Sequence, residues 1–194
     1  MLAGGLGRRI GGSKALVKLN RRPLISYPLE AVWRALGNVA IVAKIDTKLP
    51  SLPGIAVWIE PDEPRHPLTG IVHALVMAEG RAVLACAADM PLVSAELVAA
   101  IACADPGPAP AVVASAGGEL QPLLGCYHPA TLERLAGAQS GIPLRETIAA
   151  ICPATYEVTD PNALFNVNSP ADLLQASAML RPVDGPRSRP ATRR

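Results

Sequence analysis

A glycine-rich stretch with interspersed bases opens the chain: Leu2-Ala3-Gly4-Gly5-Leu6-Gly7-Arg8-Arg9-Ile10-Gly11-Gly12-Ser13-Lys14. Glycines let main-chain N–H groups come close to phosphate oxygens. Arg9 and Lys14 can neutralise the same oxygens, the first as a planar fork and the second as a point donor. Two familiar phosphate loops do not fit. A P-loop needs Lys followed by Ser or Thr, whereas here Ser13 precedes Lys14 and Ala15 follows it. A dinucleotide-binding fingerprint needs a third glycine where Ile10 stands. The chemistry left is the binding of an anionic phosphate ligand by a loop of another type.

Asp89 is the second candidate. It follows the apolar run Val83-Leu84-Ala85 and precedes Met90-Pro91. A carboxylate at the C-terminal mouth of a parallel strand sits where open α/β sheets bind ligands. Being hard and having few neighbouring ligands, it suits Mg²⁺, which takes its remaining ligands from water and phosphate. The same residue could instead cap a turn. Asn166 and Asn168 are two apart, so an extended segment points both to one side. They can hold an acceptor phosphate, or serve as Asx turns ahead of a helix.

These residues need a frame. Short apolar runs at 38–43, 54–59, 81–86, 110–115 and 154–158 are apolar on both faces, as a buried parallel sheet requires. Helical patterns lie between them at 24–36, at 69–79 with Thr69 as cap, and from Ser94 onward with Glu96 in the first turn. Ser169-Pro170-Ala171-Asp172 opens a further helix. The alternation predicts an α/β three-layer sandwich with a mostly parallel sheet and right-handed crossovers. Gly117-Gly118 reads as a turn into a strand, so a local antiparallel excursion is expected over 116–127. Residues 1–180 form one domain, and 181–194, with three prolines and no apolar period, form a flexible basic tail. The loop starts at Ala3, which leaves one or two residues for the strand that should hold it. A first strand truncated by a start assigned too late is the expectation, because a missing central strand would leave ladder groups unpaired.

The opening loop is similar to LAGGxGxRMGxxK, the signature of the sugar-phosphate and cofactor nucleotidyltransferases, with Ile10 in place of Met. Ala15 to Leu24 resembles the same family's K-x-L-x-x-L-x-G-x-P-L, with Asn20 or Arg21 at the turn. Cys86-Ala87-Ala88-Asp89-Met90-Pro91 resembles its C-D-M-P segment, and Phe165-Asn166-Val167-Asn168-Ser169-Pro170-Ala171-Asp172-Leu173 resembles F-x-N-[IV]-N-[ST]-P-E-D-L of the molybdenum cofactor guanylyltransferases. Pro67-Leu68-Thr69-Gly70 and Pro122-Leu123 add to the likeness, which spans about residues 1–180. It implies a Rossmann-like nucleotidyltransferase fold and transfer of GMP from GTP to the terminal phosphate of molybdenum-molybdopterin, with release of pyrophosphate. It further implies nucleotide contacts from Leu2, Ala3, Gly4, Gly5, Gly7, Lys14, an acid after the second strand, and Asp89. Lys14, Arg9 and Asp89 carry the chemistry, Asp89 holds Mg²⁺, and Asn166 and Asn168 face the acceptor. Molybdenum insertion proteins and the recipient molybdoenzyme are the implied protein partners.

The chain departs from the family in places. Ser13 stands where an Asp is common, and Ala43-Lys44 where members have an Asn that helps read the base. In Glu60-Pro61-Asp62-Glu63 a carboxylate can accept from guanine N1–H and N2–H together. Asp62 is the favoured reader, Glu60 the other acid in place, and Arg65 and His66 read as surface residues. A cytidylyl- or sugar-phosphate nucleotidyltransferase of the same fold, or a non-catalytic nucleotide-binding relative, are the alternatives.

Composition agrees. At 194 residues the chain is sized for one domain, and at 50% hydrophobic it can build a core. With 3% aromatics it lacks a base-stacking platform, so no nucleic acid is expected. No apolar run approaches a membrane span and no leader pattern is visible, so a cytoplasmic protein without membrane contact is expected. Residues 1–22 carry six bases and no acid (+6), and 181–194 five Arg and one Asp (+4). The body between has seven bases against fifteen acids (−8). An anionic ligand near the first loop follows from that asymmetry. Cys86, Cys103, Cys126 and Cys152 have no metal-site spacing and read as small buried hydrophobes.

Overall fold

The computed structural model describes residues 1–4, 14–139 and 141–180. Gly5, Gly7 and Arg9, and the tail expected over 181–194, lie outside the described residues. A short hairpin comes first, β1 (Lys18–Leu19) and β2 (Arg22–Pro23), with Asn20 and Arg21 at positive φ in its turn. Then follow α1 (Ser26–Leu36), β3 (Ala40–Ala43), β4 (Ala56–Ile59), α2 (Pro67–Met77), β5 (Val83–Cys86) and α3 (Ala95–Cys103). β6 (Ala111–Ala116) and β7 (Glu119–Tyr127) form a hairpin, and α4 (Leu132–Ala136), α5 (Leu144–Ala150), β8 (Ala154–Glu157) and α6 (Pro170–Met179) complete the domain.

β3 and β4 pair in parallel, and β5, β7, β6 and β8 form a four-stranded ladder in that order. Residues 1–3 join the two. Ala3 N–H donates to Val42 O at 2.9 Å and Val42 N–H to Met1 O at 2.8 Å, while Leu2 N–H donates to Cys86 O at 2.9 Å. Leu2 therefore bridges Val42 and Ala87, parallel to both. Three residues satisfy the ladder groups at the carboxyl end of the central position, where the loop that follows must be anchored. β7 is the antiparallel member, pairing with both β5 and β6, and Gly117 and Gly118 turn into it at positive φ. The expected excursion is present in an otherwise parallel sheet.

Alternation along the strands splits the core into two layers. Cys86, Val112, Ala114 and Cys126 face α1 and α3 through Ala31, Val32, Val98 and Ile101. Ala85, Ala111, Val113 and Tyr127 face α2, α4 and α5 through Leu68, Ile71, Leu75, Leu135 and Ile148. This is the three-layer sandwich the strand and helix alternation predicts. A third cluster, Leu19, Leu24, Val167 and Ala176, seats α6 against the opening hairpin.

Two local expectations change. His66 rather than Thr69 caps α2, its Nδ1 accepting from Leu68 N–H, because Pro67 fixes the first helical position. Thr69 instead donates its hydroxyl to Pro64 O at 3.0 Å. Of the four thiols, Cys86 and Cys126 are buried but Cys103 and Cys152 are exposed, since the latter two fall at the end of α3 and just after α5.

Candidate functional site

The carboxyl ends of the central strands open into a cavity of about 360 Å³ lined by Leu2, Ala3, Gly4, Lys14, Lys44, Glu60 and Asp89, with Arg65 and His66 at its side. Each lining residue is there for a backbone reason. Residues 2–4 leave the central strand position, Asp89 follows β5, and Lys44 and Glu60 follow β3 and β4. Lys14 starts a 3-10 turn, Lys14–Leu16, that buries Ala15 beneath it.

Lys14 is the centre of the polar arrangement. Its Nζ donates to Asp89 Oδ2 at 2.7 Å and to Asn168 Oδ1 at 2.5 Å. Asn168 is brought in because Val167 N–H donates to Asp89 O at 2.9 Å, docking the segment before α6 against the one after β5. Asp172 fixes that segment further. Its Oδ2 accepts from Asn168 N–H and Ser169 N–H while Ser169 Oγ accepts from Asp172 N–H, a complete capping box. These backbone bonds hold the Asp172 carboxyl below the usual carboxylate range.

The structure brings Leu2, Ala3, Gly4, Lys14 and Asp89 to one cavity and Asn168 to its edge. Asn166 is turned to its own chain, donating to Leu164 O at 3.0 Å. Asp62 is exposed in the loop after β4 and does not line the cavity; Glu60 does, because its N–H continues the ladder to Ala43 O at 2.9 Å and keeps the strand's alternation for one more residue. Arg65, read as a surface residue, pairs with Asp46 at 2.9 Å and reaches the cavity side. The Lys44–Glu60 pair had no spacing signal of its own: the residues are distant in sequence and meet through strand register alone.

Lys44 and Glu60 are 4% and 6% exposed, with Nζ 3.6 Å from Oε1. Burial pushes the Glu60 carboxyl up, and Lys44 pulls it only part of the way back. Among the described residues no three His, Cys, Asp or Glu side chains cluster. The donor set at Asp89 still suits Mg²⁺: one partly exposed carboxylate facing a cavity, with a neighbouring amide oxygen, is what that ion takes when phosphates supply further ligands.

An α/β sheet with a lysine–carboxylate pair lining a cavity at its carboxyl edge has the form of a nucleotide-dependent transferase. Solved structures share this architecture. A molybdopterin-guanine dinucleotide biosynthesis protein A from Archaeoglobus fulgidus matches with a TM-score of 0.74 at 24% identity, over 92% of this chain and 95% of that one. A Methanothermobacter nucleotidyl transferase matches with a TM-score of 0.72 at 17% identity, over 92% and 94%. The chain belongs to the family of MobA-like NTP transferase domains, which matches residues 1–154. Molybdenum cofactor guanylyltransferases of Cereibacter sphaeroides and Rhodobacter capsulatus are 32% and 34% identical, each over 93% of this chain and 95% of theirs.

Proposed function

We propose that this chain transfers GMP from GTP to the terminal phosphate of molybdenum-molybdopterin, releasing pyrophosphate and forming the guanine dinucleotide cofactor. The observation that carries the reading is the Lys14–Asp89 pair at the mouth of the central strands, in a chain about one third identical to guanylyltransferases along nearly its whole length.

An oxygen of the acceptor phosphate forms a bond to the α-phosphorus of GTP. The bond from that phosphorus to the α–β bridging oxygen breaks, and pyrophosphate leaves with the electron pair. The attacking phosphate is already ionised near neutral pH, so no side chain needs to remove a proton. The protein's work is positioning and charge neutralisation. Lys14 neutralises charge on the triphosphate beside the main chain of Leu2, Ala3 and Gly4, and the resemblance adds Arg9 as a second cation and Gly5 and Gly7 as further nucleotide contacts. Asp89 would hold Mg²⁺, which would supply charge stabilisation to the phosphoryl oxygens. Asn168, already bonded to Lys14, places the acceptor end next to the reacting phosphorus, with Asn166 behind it. The product passes to molybdenum insertion proteins or to the recipient molybdoenzyme.

Pyrophosphate release measured with GTP and with CTP, each with and without the pterin acceptor, tests the reading. Release that needs GTP and acceptor together is the expected result. Release with CTP alone among the nucleotides would reassign the donor, and no release under any combination would leave a nucleotide-binding protein without turnover.

A further inference from the structure

An ammonium has three N–H donors, and two of those on Lys14 are taken: Asp89 Oδ2 accepts at 2.7 Å and Asn168 Oδ1 at 2.5 Å. On a tetrahedral nitrogen two fixed donors fix the direction of the third. Lys14 is partly exposed and lines the cavity, so the third N–H is the one left for a ligand oxygen. Its aim depends on how firmly Asp89 and Asn168 are held.

The main chain holds Asp89 directly. Ala88 N–H donates to Leu2 O at 3.0 Å, and Asp89 O accepts from Val167 N–H at 2.9 Å. Asn168 belongs to no strand or helix, and its own N–H is held by a side chain, Asp172 Oδ2, at 2.8 Å. The same oxygen accepts from Ser169 N–H at 2.9 Å. A capping box needs only the second of these bonds. The first adds nothing to the helix and ties down the residue that touches Lys14. It is made to a carboxylate, since the Asn168 N–H is the foremost cause holding the Asp172 carboxyl low. Asn168 Nδ2 donates to Asn166 O at 3.4 Å, which leaves the amide oxygen facing Lys14.

We propose that Asp172 is a positioning residue: through the N–H of Asn168 it sets the Asn168 amide oxygen against Lys14 and so aims the remaining N–H of Lys14 at the triphosphate. The assignment rests on the GTP reading above. Asp172 does not line the cavity, and its effect on a ligand there passes through two other side chains. Ser169 offers the contrast. Its Oγ accepts from Asp172 N–H at 3.2 Å and serves the helix alone. Losing Ser169 Oγ frays the start of α6; losing the Asp172 carboxylate frays it and also frees Asn168. Only Ala176 of α6 is fully buried, so neither loss unfolds the domain.

Isothermal titration of the full chain with GTP and Mg²⁺, without acceptor and well below each Tm, tests the assignment. Asp172→Ala should weaken GTP about tenfold, the worth of one hydrogen bond to a charged group. Ser169→Ala should weaken it less than about twofold, although loss of a cap lowers Tm in both variants. Asn168→Ala should match Asp172→Ala, and the double variant Asn168→Ala/Asp172→Ala should be no weaker than either, because the second residue acts only through the first. Asp172→Asn, whose amide oxygen can accept from Asn168 N–H, should recover most of the affinity. GTP affinity unchanged in Asp172→Ala would overturn the assignment. So would an equal loss in Ser169→Ala, or losses that add in the double variant. Each of these leaves the wild type binding GTP and the GTP reading intact. The expected pattern obtained with CTP and not with GTP would keep Asp172 in this role and reassign the donor. Wild-type protein that binds neither nucleotide would overturn both.

Discussion

Lys14 and Asp89 are 75 positions apart in sequence, and their charged atoms stand 2.7 Å apart. Their side chains remain 19% and 17% exposed, so both charges can reach a ligand in the cavity they line. Asn168 contacts the same ammonium from the segment before α6. Three stretches of chain that separately look like loop, strand end and helix cap therefore converge on one nitrogen.

Replacing that nitrogen is the first test. Lys14→Ala should lower kcat/KM by an amount equivalent to about 2–4 kcal/mol, the loss usual for one phosphate-directed charge. Circular dichroism and Tm should stay close to wild type, because Lys14 is not part of a hydrophobic cluster. Near-normal turnover by the folded variant would remove Lys14 from the site.

Asp89→Asn keeps size and one acceptor oxygen but removes the charge a hard divalent cation prefers. Pyrophosphate release titrated against Mg²⁺ should fall by about two orders of magnitude at saturation, with Tm nearly unchanged. Unaltered rate and metal dependence would move the metal elsewhere.

Gly70 tests the close packing around the cavity. A Cβ there would stand 2.6 Å from Leu2 Cδ2 as well as close to Glu60 Oε2. Gly70→Ala should cost about 1–3 kcal/mol, the range for overpacking a tight site, and appear as a Tm lower by several degrees. A Tm equal to wild type would mean that Leu2 yields without cost.

Glu60 gives a pH-dependent signature. Its folded-state pKa is raised, chiefly by burial. A raised carboxyl contributes stability below its unfolded value and loses that contribution as pH rises through the folded value. Glu60→Gln removes this titration, so the Tm of Glu60→Gln minus that of wild type should increase from pH 4 towards pH 7. A flat difference would show that Glu60 titrates in the folded protein as it does in water.

Much of this frame was legible in the residues. Ser169-Pro170-Ala171-Asp172 carries a capping signal that is local, and the structure forms the full box there. Gly117-Gly118 likewise dictates its own turn, and β7 follows it. α4 and α5, five and seven residues long, were not anticipated, because so few turns show no apolar period. The Lys44–Glu60 pair was hidden for a different reason. Nothing near either residue encodes the other, and only the parallel register of β3 and β4 joins them. An acid two residues along, Asp62, fits a sequence pattern equally well, yet the strand's alternation ends before it and leaves it in solvent.

The most direct test of the central claim is to follow the label of GTP in the presence of Mg²⁺ and molybdenum-molybdopterin. With GTP labelled at the α-phosphorus, the account predicts label in the pterin dinucleotide; with GTP labelled at the γ-phosphorus, it predicts label in pyrophosphate and none in the pterin. Label from the γ-position on the pterin, or no labelled pterin from either nucleotide, would contradict it.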